Sequence, residues 1–265
     1  MPDTLVERRV RLPATWFTDV DCAAAVRIQT GMSGAQVWRI ASGRHKRERY
    51  LKIAEGEAGQ ALRREIERTA WLAARNVRVP EILCTHDGVG IVALLTGAVA
   101  GMPADQAVLA PSALVAALGR ALAGFHGLPA ANCPFNETAR VRLERARHLI
   151  VQGRIEASEF ADRNRRLSPG TLLQRLANRI PAEELVVAHG DATLSNMIID
   201  TDGTVGFVDC GHCGRADRYL DLAVAAQDIG ERFGATEAKA FARAYGETDW
   251  DTAKAGFFAD LYELF

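Results

Sequence analysis

Hydrophobic and polar positions alternate with a period of two along the first third of the chain and then recur with a helical period. Val26-Arg27-Ile28, Val37-Trp38-Arg39-Ile40 and Arg49-Tyr50-Leu51-Lys52-Ile53 read as short strands, the last two joined by a turn at Ser42-Gly43. Leu62, Ile66, Thr69 and Leu72 lie on one stripe of a helix over residues 58–74. A further strand pair, Pro80 to Cys84 and Gly90 to Thr96, is expected to turn at Asp87-Gly88. From Pro111 the pattern is mainly helical. Leu114, Leu118, Leu122 and Phe125 run to His126 and stop at Gly127. A second helix, about Thr138 to Gln152, carries Arg140, Arg142, Arg145 and Arg147 on what reads as a solvated face. Ser168-Pro169 opens another.

Near residue 185 the strand signal returns. Leu185-Val186-Val187-Ala188 is an apolar run, and Asp202-Gly203 turns Met197-Ile198-Ile199 back onto Val205 to Val208. A helix with acids at its start is expected from Asp217 through Val224, its exposed continuation bearing Asp228 and Glu231. A last helix runs from about Trp250 to Phe265. The order predicts an α+β protein: a small N-terminal antiparallel sheet with one helix over residues 1–96, a hinge at 97–101, and a larger, mainly helical lobe over 102–265.

With 265 residues there is room for two lobes with real cores. The 32 basic and 33 acidic residues leave a net charge of -1, which offers no field for nucleic acid, so no such partner is expected. The sequence contains neither an apolar signal core nor a bilayer-length apolar run, and a cytoplasmic location without membrane association is the expectation. Five scattered cysteines do not make a disulfide framework, and Cys210-x-x-Cys213 lacks a second pair at zinc-ligand spacing.

The chemistry concentrates in His189-Gly190-Asp191-Ala192-Thr193-Leu194-Ser195-Asn196, followed after a hairpin by Asp209-Cys210-Gly211. Asp and Asn at such spacings often only satisfy local turn donors. Two carboxylates and an amide in this order have the spacing of a phosphoryl-transfer loop: Asp191 would orient an acceptor hydroxyl, and Asn196 and Asp209 would be hard oxygen ligands for Mg²⁺. Lys52, on the strand face opposite Leu51 and Ile53, needs an anionic partner, and Glu65 on the following helix would clamp it toward nucleotide phosphates. Ser33 in Gly31-Met32-Ser33-Gly34 would add a donor at a hairpin tip. The small residues Gly97 to Gly101, Gly97 and Val99 among them, would present backbone groups to an adenine edge.

The residues Val186 to Asn196, Gly206-Phe207-Val208-Asp209-Cys210-Gly211 and Ala216-Asp217-Arg218-Tyr219-Leu220-Asp221-Leu222-Ala223 resemble those of aminoglycoside phosphotransferases, most closely the 3'-phosphotransferases. Cys133-Pro134-Phe135 and the ending Tyr262-Glu263-Leu264-Phe265 support the resemblance, which spans nearly the whole chain. It implies a bilobal, protein-kinase-like enzyme that uses ATP or GTP with Mg²⁺ to phosphorylate the 3'-hydroxyl of kanamycin- or neomycin-type antibiotics and confers resistance, as a monomer or weak dimer. By the same resemblance Asp191 is the catalytic aspartate, and Glu159, Asp162, Asp191, Asp228, Glu231, Glu263 and Phe265 contact the drug. Scattered acids suit a polycationic substrate. His212 and Gln227 stand where relatives often carry arginines, and Ala161 where an acid is common, so the drug spectrum does not transfer. The catalytic-loop motif alone is shared with choline, homoserine and fructosamine kinases, which keeps a small-metabolite kinase as the alternative; a catalytically idle nucleotide-binding module is a third reading.

Overall fold

A computed structural model describes residues 48–265 and, before them, 12–13, 16, 25–28 and 34–41. The chain divides into two compact units, one of residues 1–100 with Gly206–Gly211, the other of Gly101–Val205 with His212–Phe265.

The first unit is an antiparallel sheet in the order β1-β2-β3-β5-β4, built from β1 (Val26–Ile28), β2 (Gln36–Ile40), β3 (Arg49–Ala54), β4 (Ile82–Gly88) and β5 (Ile91–Gly97). Alternation sorts its side chains into two layers. Trp38, Ile40, Leu51, Ile53, Ile91, Ala93 and Leu95 pack with Leu12 and Trp16 on one face. Ala54, Val92 and Leu94 meet Leu62 and Ile66 of helix α1 (Gly56–Ala73) on the other. Lys52 shares the α1 face because its neighbours Leu51 and Ile53 occupy the opposite one.

The β4-β5 turn differs from the expected one. Asp87 and Gly88 lie within the strand, paired with Val92 and Ile91, and the reversal falls at Val89-Gly90, where Gly90 has φ 78°. Glycine adopts that left-handed conformation without a Cβ penalty, and Asp87 is held in the strand by a bidentate pair with Arg63 of α1, 2.7 Å at each contact.

The second unit opens with the short strand β6 (Met102–Pro103) and helices α2 (Pro111–His126), α3 (Ala139–Val151) and α4 (Pro169–Ala177). Ser168 caps α4 by accepting from the Thr171 amide, with Pro169 at the first helical position. Strand β7 (Leu185–Ala188) pairs with β10 (Gly214–Asp217), and β6 with β8 (Met197–Ile199). The hairpin after β8 closes through the Asp200 amide to Thr204 O, with Gly203 at φ 83°, and β9 (Val205–Phe207) leads to the first unit. Helices α5 (Tyr219–Phe233), α6 (Ala235–Tyr245) and α7 (Thr252–Tyr262) complete the second unit.

Three sequence expectations change here. Asp217 ends strand β10, fully buried against Lys254 Nζ at 3.0 Å, and α5 begins only at Tyr219. Helix α6 has no counterpart in the apolar pattern: only Phe241 and Ala242 are buried in it, too few to mark a stripe. Arg142 and Arg145 leave the solvated face of α3. Both turn to the buried Glu137, Arg145 through two 2.9 Å hydrogen bonds and Arg142 at 3.9 Å. A buried carboxylate needs such compensation.

Gly119 lets α2 and α6 approach closely, since a Cβ there would lie 2.6 Å from Phe241 O and 2.9 Å from the Ala244 methyl. Helix propensity alone favours Gly119→Ala by about 1 kcal/mol. Backbone contact outweighs propensity here, and the substitution is expected to destabilise the protein by about 1–3 kcal/mol, read by urea unfolding. A stabilised variant would refute this account of the α2-α6 contact.

Candidate active site

The 189–196 segment follows β7, and nearly every residue in it is tied down. The amides of His189 and Gly190 donate to the two carboxylate oxygens of Asp221, at 2.6 and 2.7 Å. Gly190 has φ 82°, and a Cβ there would collide with His212 O, so the turn into Asp191 requires glycine. The Thr193 amide closes onto Asp191 O at 2.9 Å, and the Leu194 amide donates to Asp228 Oδ2 at 2.7 Å. Asn196 then reaches back. Its Nδ2 donates to Asp191 Oδ2 at 2.8 Å and to Asp191 O at 3.0 Å. That commits the amide nitrogen and leaves Asn196 Oδ1 as the atom for a cation.

The first unit holds a separate charged cluster. Lys52 Nζ is 2.6 Å from Glu65 Oε1 and also contacts Asp209 Oδ1. Burial works against the Lys52 ammonium, but the charges of Glu65 and Asp209 outweigh it and hold the amine protonated above its usual range. Asp209 has φ 58°, a left-handed conformation that non-glycine residues adopt at a cost, which is typical of functional positions. Arg68, buried in α1, donates to Gly211 O and fixes the backbone just beyond it.

The remaining predicted positions are distributed as follows. Ser33 lies outside the described residues. The Gly97 amide donates to Glu81 O at 2.9 Å and that of Ala98 to Glu48 O at 2.8 Å, so both donors are committed to the sheet edge; Val99 follows them, half-buried. Glu159 ends a short 3-10 turn, its side chain outside the description. Asp162 is exposed and pairs with Arg165 at 2.6 Å. Glu231 is exposed and accepts from Gln227. Glu263 pairs with Arg163 at 2.7 Å and accepts from Asn164 at 3.1 Å. Burial raises the carboxyl pKa values of both Asp228 and Glu263. Phe265 lies under the Arg142 guanidinium, 4.4 Å from its ring centre, and edge-on to His212. Several acids are thus partly neutralised within the protein. Cys210 and Cys213 are buried, and burial pushes the Cys210 thiol up, away from its reactive thiolate form.

The family model for the phosphotransferase enzyme family matches residues 24–255. The chain belongs to the phosphotransferase enzyme family. Among relatives of this phosphotransferase, a streptomycin 3''-kinase of Streptomyces griseus is 32% identical over 227 residues, 82% of each chain. An aminoglycoside 3'-phosphotransferase of Escherichia coli is 31% identical over 265 residues, 97% of this chain and 96% of the relative. The solved structure of an aminoglycoside phosphotransferase, APH(3'')-Id from Streptomyces rimosus, in complex with ADP and streptomycin, superposes with a TM-score of 0.83 at 29% identity, covering 98% of both chains. The phosphotransferase accordingly has the protein-kinase-like α+β fold.

Three residues around the loop take no role from the motif spacing. Tyr262 donates its hydroxyl to Asp191 Oδ1 at 2.6 Å. Asp221 of the phosphotransferase also meets His126 Nε2 at 2.9 Å, and His126 Nδ1 meets Tyr245 Oη at 2.8 Å. Arg142 donates to Gly190 O at 3.3 Å. Asp221 and Tyr262 lie within the resembling segments, yet they, like Arg142, show their partners only in three dimensions.

Proposed function

We propose that this phosphotransferase moves the γ-phosphoryl group of ATP, or GTP, to the 3'-hydroxyl of a kanamycin- or neomycin-type aminoglycoside. What carries the reading is likeness over nearly the full chain to relatives named for aminoglycoside phosphorylation. Asp191 accepts the hydrogen bond of the acceptor hydroxyl and aims its oxygen at the γ-phosphorus. The new O–P bond forms as the bond to the β–γ bridging oxygen breaks, the hydroxyl proton passes toward Asp191, and the nucleoside diphosphate leaves. Lys52, aligned by Glu65, binds the nucleotide phosphates, and the backbone at Val99 meets the base. Asn196 Oδ1 and the Asp209 carboxylate are hard oxygens that fit Mg²⁺ and are the residues assigned to hold it. When bound, that ion neutralises charge on the phosphate oxygens. Glu159, Asp162, Asp228, Glu231, Glu263 and Phe265 are assigned to the ammonium-rich acceptor. Among the described residues no helix is long and apolar enough to cross a membrane; we place the enzyme in the cytoplasm, where nucleotide is available, as a monomer or weak dimer.

A second regiochemistry has specific support. The streptomycin 3''-kinase matches at 32% identity, and the similar solved structure holds streptomycin. Purified protein with Mg-ATP is therefore incubated with a kanamycin-type drug, its 3'-deoxy counterpart and streptomycin, and products are weighed by mass spectrometry. Phosphate gain on the first alone supports the 3' assignment. Gain on streptomycin supports the 3'' one, and gain only on a small amino alcohol or sugar amine overturns both.

Lys52→Ala is expected to raise the nucleotide KM by about 10- to 100-fold, since hydrogen bonds to charged groups are worth about 1.5–3 kcal/mol. Steady-state kinetics with varied ATP at saturating acceptor check it. An unchanged nucleotide KM would remove Lys52 from the phosphate-binding role.

A further inference from the structure

We propose that Tyr262 is a positioning residue that fixes the orientation of the Asp191 carboxylate; the inference rests on the phosphoryl-transfer reading of Asp191. The two carboxylate oxygens are held by different donors, Oδ1 by Tyr262 Oη at 2.6 Å and Oδ2 by Asn196 Nδ2 at 2.8 Å. A carboxylate held at one oxygen swings about its last side-chain bond, whose rotamer wells are broad. Held at both, it offers an incoming hydroxyl a lone pair of set direction, and acceptor orientation is a principal lever in phosphoryl transfer.

The phenol is suited to this task. Its ring has only two side-chain torsions, and it occupies the last residue of α7, a helix anchored along its length. Asp251 caps the start by accepting from the Lys254 amide at 2.9 Å, Lys254 Nζ reaches Asp217 at 3.0 Å, and Phe258 and Leu261 are fully buried. The phenol oxygen is therefore placed by a rigid element. Burial and then the Asp191 charge push the Tyr262 hydroxyl up, so it stays a protonated donor throughout neutral pH. Asn196 supplies the opposite hold from within the loop, through the same side chain whose oxygen is assigned to the cation. Tyr262 comes from outside the loop, so its removal leaves the nucleotide and cation groups in place.

The test is Tyr262→Phe, which deletes one oxygen and keeps the ring. With the acceptor identified by the drug panel, kcat is expected to fall about 10- to 100-fold, the loss of one hydrogen bond to a charged group, while the nucleotide KM and the melting temperature stay near wild type. A purely structural tyrosine would instead lower the melting temperature and leave kcat alone, and that outcome overturns the proposal. If wild-type protein phosphorylates no acceptor, the functional reading fails separately, and the positioning claim is read without turnover. Crystal structures of the wild-type and Tyr262→Phe proteins then compare the orientation of the Asp191 carboxylate. A carboxylate that rotates or takes two orientations in the variant sustains the claim, and a single unchanged orientation sinks it.

Discussion

Asp191→Ala is expected to lower kcat by about 10²- to 10⁴-fold, the range that a positioned proton-accepting side chain contributes. Nucleotide affinity, measured by titration of the protein with ATP, should hardly move, because Lys52 and Glu65 form their pair independently of the loop. An interaction made mainly in the transition state lowers kcat and kcat/KM together, and that is the expected pattern for the acceptor. The substitution also strips Tyr262 Oη and Asn196 Nδ2 of their shared partner. A melting curve separates that structural loss from the chemical one. Near-normal turnover would remove Asp191 from the reaction altogether.

The largest effect on stability is expected from Asp221→Ala. Asp221 is fully buried and accepts the amides of His189 and Gly190 while facing His126 Nε2. Removing one member of a buried charged network costs about 3–5 kcal/mol. For a chain of this size that corresponds to a melting temperature lower by on the order of 10 °C. Activity should fall as well, since the turn into Asp191 is fastened through this carboxylate. The acid dependence has a definite sign. Burial raises the Asp221 pKa, but the hydrogen bond and charge of His126, with His189 behind it, prevail and hold the carboxyl below its usual range. A depressed folded pKa means stability that is fully present above the unfolded value of about 3.9 and is lost as pH falls from there through the folded pKa. Asp221→Asn should therefore flatten the acid limb of a urea-midpoint-against-pH curve. An unchanged limb would show that Asp221 does not titrate with folding.

Period-two alternation was enough to place Lys52 opposite Leu51 and Ile53, because a strand has only two faces and a core residue claims one of them. The spacing of the 189–196 segment singled out Asp191 and Asn196 as candidates, whereas the hydrogen bonds by which Asn196 Nδ2 reaches back to Asp191 come from the fold. Partners joined across long stretches of chain were not legible. Even a near neighbour goes unseen: arginines at 142 and 145 look solvated in a helical pattern, and only the fold buries the nearby Glu137 beside them. Tyr262 reaches Asp191 across 71 residues, a relation no periodicity encodes. The Asp87-Gly88 pair has the composition of a turn, yet the ion pair to Arg63 extends β4 and moves the reversal onward. Acids such as Glu263 are recognisable as acids, but the arginine partner, Arg163 in this case, which sets how much charge remains for a cationic ligand, comes from the fold.

The return of Gly206–Gly211 to the first unit has a consequence for how the protein is made. Phe207 donates its amide to Arg78 O, Asp209 meets Lys52, and Arg68 grips Gly211 O. None of these contacts exists when only the first hundred residues have been translated. A nascent chain therefore finishes its N-terminal sheet unit only after residue 211 has left the ribosome. A fragment cut at residue 100 should accordingly melt more easily than the same segment in the full-length protein.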